Sequence, residues 1–140
     1  MTMPREERIA LADKVRYKHF RIPLSTKKHA YATVAFALNE AKDWCWYALT
    51  FCAPDDSFTY KEGRSKARGR LFAALKKGLG GHSGSLNLAE LPKFDPGKNF
   101  ATCLRNWLRD ARYMGTHTKR WYYDFADVVT LKVEPIEKKR

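Results

Sequence analysis

Two stretches rich in β-favouring aromatic and branched residues, Tyr31–Asn39 and Trp44–Cys52, flank the polar run Glu40-Ala41-Lys42-Asp43. This spacing predicts two antiparallel strands joined by a short turn. In the first strand Val34, Phe36 and Leu38 point one way, while Tyr31, Thr33, Ala35 and Ala37 point the other. A strand that is mostly apolar on both sides needs cover on both faces.

Helices are the natural cover. From Asn99 to Met114 the residues Phe100, Cys103, Leu104, Trp107, Leu108 and Ala111 recur at intervals of three and four, and Gly115 is placed to end the helix. A second helix is expected from about Phe58 or Lys61 to Lys77, with Ala67, Leu71, Ala74 and Leu75 in one stripe and Lys66, Arg70, Ala73 and Lys77 opposite. Asp55 and Asp56 precede it in a turn, and the glycines from Gly78 to Gly84 stop it and open a flexible loop reaching about Gly97. Arg5–Val15 reads as a short amphipathic helix, and Trp121–Val133 as a strand interrupted only by Asp127, at a bulge or against a cation. The chain is thus expected to form one α+β domain over residues 1–140, an antiparallel β-sheet with two main α-helices packed on it. A basic N-terminal segment (1–28) and a charged, frayed tail (134–140) flank it.

Charge narrows the class of partner. Lys and Arg number 27 against 15 Asp and Glu, a formal charge of +12, which directs attention to anionic partners. Lys14–Leu38 contains no acid, and its Pro23, Ser25 and Thr26 suggest that it is largely loop. The longest apolar stretches fall short of the ~20 residues a membrane-spanning helix needs, and the charged start lacks a signal peptide's pattern. A cytoplasmic location, in the host cell, and no membrane partner are expected. Cys45, Cys52 and Cys103 are an odd set; the first two lie seven apart in one strand and so on opposite faces, which favours reduced thiols.

Few chemical motifs are present. The four histidines His19, His29, His82 and His117 have no Cys or acid at ligand spacing, and no nucleophile-elbow, HExxH or CxxC pattern occurs, so no metal, no cofactor and no enzymatic activity are expected. Gly81-His82-Ser83-Gly84 has the GxxG form of loops that clamp nucleic-acid backbone, but it reads better as a linker. The unusual stretch is Tyr47–Leu71, where Lys61, Arg64, Lys66, Arg68 and Arg70 follow a strand and an acidic turn. Arg64 and Arg68, four apart, are spaced to grip one anion through planar forks. Gly63 and Gly69 inside a helix each cost about 1 kcal/mol relative to Ala, which implies a close neighbour at those points. The other reading is a solvated basic face with glycines for helix packing. Phe58, Tyr60 and Tyr122 are the aromatic side chains placed to stack a base beside these cations.

The segment Phe51–Leu71, carrying Phe51, Cys52, Pro54, Asp56, Phe58, Lys61, Gly63, Arg64, Ala67, Gly69 and Arg70, resembles a family of small phage proteins, the Thoeris anti-defence sponges. The resemblance spans 21 of 140 residues. It implies a non-enzymatic anti-defence protein, a homo-oligomer built on a dimer, that sequesters a phosphate-bearing nucleotide immune signal of the cyclic ADP-ribose or cyclic oligonucleotide type. Arg64 and Arg70 are the motif arginines it would place at the ligand, with Arg68, Lys61, Phe58, Tyr60 and Tyr122 as further candidates. The net charge exceeds what one small nucleotide needs. The alternative reading is therefore a sequence-tolerant DNA- or RNA-binding protein, or a basic inhibitor docking on a host defence protein.

Overall fold

The structure, a computed structural model, describes residues 3–23, 29–53, 57–80, 82–91, 93–114 and 132–136, with the backbone alone over 110–114. Its elements in chain order are α1 (Arg5–Ala12), β1 (Arg16–Pro23), β2 (His29–Leu38), β3 (Trp44–Cys52), α2 (Tyr60–Lys77), β4 (Ser83–Asn87), a 3₁₀ turn at Leu88–Glu90, α3 (Pro96–Met114) and β5 (Glu134–Pro135). The strands form one sheet in the order β4-β3-β2-β1-β5, every pairing antiparallel. The fold is α+β, as the sequence predicts.

The two-sided strand sits at the centre of the sheet and is covered on both faces. Val34 and Phe36 join Phe20, Ile22, Cys45 and Leu49 beneath Phe100, Leu104 and Leu108 of α3, whose spacing of four keeps them on one face. On the other side Ala35, Ala37 and Ala48 lie under Ala67, Leu71 and Leu75 of α2, with Leu11 of α1 at the margin. The α2 side is lined with small residues, so that helix approaches closely. A Cβ built on Gly63 would stand 2.3 Å from Thr33 Oγ1, whereas one on Gly69 would meet nothing within 4 Å. Among the described residues, the close neighbour expected at both glycines therefore exists only at Gly63, and it is the protein's own β2.

Four further expectations are corrected. The acid-free segment is not largely loop, because β1 occupies Arg16–Pro23 and β2 begins at His29. Phe20 and Ile22 alternate as core residues, but Arg16 and Lys18 hold the same face and mask the period. The glycine-rich stretch is not a flexible loop throughout, since Ser83–Asn87 pairs with β3 as β4. Gly84 there lies against the Tyr47 ring, where a Cβ would fall 2.6 Å from the hydroxyl, so its lack of a side chain is a packing requirement. The tail begins as a strand: Glu134 pairs with Arg21 in register and by an ion pair at 3.7 Å, and Ile136 N–H donates to the His19 carbonyl at 2.8 Å. The N-terminal helix ends at Ala12 rather than Val15. The Trp121–Val133 strand, with Asp127, lies outside the described residues except at its end, where Val133 is buried.

Burial around α3 also fixes the thiols. Cys45, Cys52 and Cys103 are not joined in disulfides. Burial pushes the Cys45 thiol up to about 12 and raises Cys103; it also raises the Tyr47 phenol, hydrogen-bonded to Cys103. All three groups keep their protons in the folded chain at a pH where the unfolded chain loses them, so stability should fall as pH rises from about 9 toward 12. Chemical denaturation across that interval should show the loss.

The glycine contrast gives a second test. Gly63→Ala should destabilise by about 1–3 kcal/mol through overpacking on Thr33. Gly69→Ala should stabilise by about 0.5–1 kcal/mol. A Gly63→Ala variant as stable in urea titrations as Gly69→Ala would remove the close contact from the account.

Candidate functional site

The local chemistry of α2 sets up the site at its N-terminal end. Thr59 caps the helix, its hydroxyl accepting from Glu62 N–H at 3.2 Å, and Glu62 places a carboxylate in the first turn. With Gly63, Ala67, Leu71 and Leu75 turned to the sheet, the helix has two distinct flanks. Glu62, Lys66 and Arg70 follow at intervals of four on the flank facing β3. Tyr60, Arg64 and Arg68 follow at the same interval on the flank facing β1 and α1.

A cleft of about 420 Å³ opens between the first turns of α2 and the ends of β2 and β3, a size suited to a small-molecule ligand. Tyr31 and Phe58 form one wall, their rings stacked with centroids 4.5 Å apart and planes inclined by 9°. Glu62 and Lys66 form the other, joined by a loose ion pair at 3.9 Å. Cys52 also lines the cleft. The floor carries Thr33 and Thr50, cross-strand partners on the α2 face of the sheet.

The two threonines differ in one respect. Thr33 Oγ1 shares a hydrogen bond of 2.8 Å with His19 Nδ1, and His19 is held edge-on by Tyr60 and Phe58. Thr50 is 5% exposed, and its hydroxyl has no hydrogen-bond partner among the described residues. A buried hydroxyl left unpaired costs about 1–3 kcal/mol, so the cleft floor stands ready for a polar group from outside. The Thr33–His19 pair has the composition of a nucleophile and its base, but Thr33 is 1% exposed and pressed against Gly63, which leaves no room for attack.

The arginines read from the sequence do not converge. Arg68 Nη1 donates to the Ala12 carbonyl at 3.2 Å, and its guanidinium lies 5.0 Å over the Phe72 ring, toward α1. Arg70 Nη1 donates to the Leu49 carbonyl at 3.1 Å and to His82 Nδ1, closing the edge of β3 where β4 begins. Arg64 is half-buried on the Arg68 flank, and Lys61 is exposed in the first turn. Arg64 and Arg70 thus occupy opposite flanks of one helix and cannot grip a single small anion within one chain. Phe58 is the one sequence-predicted candidate that lines the cleft; Tyr60 packs behind it on His19. Tyr122, like Asp55 and Asp56 of the turn, lies outside the described residues.

Tyr31, Thr33, Thr50, Glu62 and Lys66 were not legible as site residues. The available signal was the pair of hydroxyls inside two apolar strands, and the lone acid Glu62 four residues before Lys66 in a basic run. Among the described residues no group of three His, Cys, Asp or Glu is placed to hold a metal ion, and no helix is long and apolar enough to cross a membrane. No family model, curated protein or solved structure matches the chain.

The thiols report on this geometry. Iodoacetamide near pH 8 should modify Cys52, half-buried at the cleft, well ahead of Cys45 and Cys103, whose thiolates are disfavoured by burial. Peptide mass mapping that found Cys45 or Cys103 modified first would contradict the placement of the cleft.

Proposed function

We propose that this protein binds a phosphate-bearing nucleotide in the α2 cleft and holds it without chemical change. The observation that carries the reading is the buried Thr50 hydroxyl, unpartnered among the described residues, at the floor of a cleft walled by stacked rings and by Lys66. Each part of a nucleotide has a matching group. The outer face of the Tyr31–Phe58 stack offers a π surface to a base. Lys66 and the positive end of the α2 dipole favour a phosphate at the outer wall.

The resemblance around Phe51–Leu71 extends this reading to function: a phage counter-defence protein that removes an immune nucleotide by capture, acting as an oligomer in the host cytoplasm. Capture needs affinity and abundance rather than turnover. Neither motif arginine, Arg64 or Arg70, lines the cleft, so on this reading neither holds the captured nucleotide.

A second reading, binding of DNA or RNA, is favoured by one separate surface. Arg5, Arg8 and Arg68 gather around Ile9 and Phe72 between α1 and α2, with no acid among the residues lining that hollow. A polyanion would bind there with a steep dependence on salt.

Calorimetry against AMP, ADP-ribose, cyclic ADP-ribose and short DNA and RNA, at low and high salt, separates the two. The account expects binding of a small nucleotide that persists at high salt and weakens about tenfold or more in Lys66→Glu, with Arg64→Glu close to wild type. Binding of polymers alone, lost at high salt and abolished by Arg5→Glu with Arg68→Glu, would overturn it in favour of the second reading.

A further inference from the structure

We propose that the floor of the α2 cleft selects a ribosyl group, with Thr50 and Glu62 as the residues that distinguish ribose from deoxyribose. This inference rests on the nucleotide reading above and adds which part of the ligand goes deepest. The floor is uncharged: Thr33, Thr50 and Cys52 contribute no cation. A phosphate there would be desolvated without a counter-charge. The phosphate belongs instead with Lys66 at the exposed wall.

What the floor and the wall beside it offer together is a hydroxyl and a carboxylate. Thr33 is already committed to His19, so among the described residues Thr50 supplies the one unengaged floor hydroxyl, able both to donate and to accept. Glu62 is an acceptor, tied only loosely to Lys66 at 3.9 Å. A vicinal diol complements this pair: its two O–H groups donate to the carboxylate, and one of its oxygens accepts from the Thr50 hydroxyl. The carboxylate–ribose contact is a recurrent way of recognising a 2′-hydroxyl. The base is directed elsewhere, since the flat faces it needs lie at the rim on Tyr31 and Phe58.

A site built to pair a ligand hydroxyl rejects the analogue that lacks it, because its own buried polar groups are then left unpaired. Titration calorimetry of the full chain with AMP, 2′-deoxy-AMP and 3′-deoxy-AMP tests this. Wild type should bind AMP about tenfold or more tightly than either deoxy analogue. Thr50→Val and Glu62→Gln should bring that ratio close to one mainly by weakening AMP. Thr50→Val should also leave the melting temperature unchanged or raised, since it removes an unpaired buried hydroxyl; a hydroxyl with a structural role would lower it. Equal affinity of wild type for AMP and its deoxy analogues overturns the ribose selection while leaving nucleotide binding intact. Absence of binding by AMP, ADP-ribose and cyclic ADP-ribose alike overturns both.

Discussion

The contact on which this structure turns is the one between Gly63 of α2 and Thr33 of β2. With a Cβ absent on the helix side, α2 settles onto a sheet face made of Ala35, Ala37, Ala48 and two threonines. That depth fixes the roll of the helix about its axis. Gly63, Ala67, Leu71 and Leu75 face inward, so Lys66 and Arg70 lean over β3 while Arg64 and Arg68 lean toward β1 and α1. The cleft exists because the first turn of α2 and the stacked Tyr31–Phe58 pair stand apart at the end where the strands finish. A larger residue at 63 would lift the helix and change floor and wall together.

This geometry explains why five cations in ten residues do not make one anion site. Arg68 is spent on a helix–helix junction, through the Ala12 carbonyl and the Phe72 ring. Arg70 closes the exposed edge of β3 beside His82, whose ring in turn packs on Trp107 of α3. Lys66 is left on the cleft wall, held loosely by Glu62 and available to a ligand. Density of charge in a sequence therefore says less about binding than which flank of the helix each cation occupies. Arg5 and Arg8 line, with Arg68, a separate hollow between α1 and α2 that shares no residue with the cleft.

Much of the frame was legible before any coordinates. The hairpin β2–β3, the two main helices and the two-sided character of β2 all follow from periodicity, since Phe100, Leu104 and Leu108 or Val34 and Phe36 announce their faces directly. β1 was not legible because Arg16 and Lys18 share the face of Phe20 and Ile22 and break its apolar period, their long stems allowing charge at the sheet margin. β4 was hidden because Gly84 and its serines look like linker, and its reason for being a strand is the Tyr47 ring across from it. The site was least legible of all. Thr33 and Thr50 become cross-strand neighbours only through the register of β2 on β3, which no local window contains. The roles of Arg68 and Arg70 depend on partners 56 and 21 residues away.

The central claim is that a nucleotide enters the cleft between α2 and the ends of β2 and β3. Methyl NMR during titration with ADP-ribose tests it most directly, because threonine and alanine methyls mark both flanks of α2. The account predicts saturable shifts at Thr33 and Thr50, with Ile9 and Ala12 on the opposite flank unmoved. Shifts at Ile9 and Ala12 with Thr50 unmoved would contradict it.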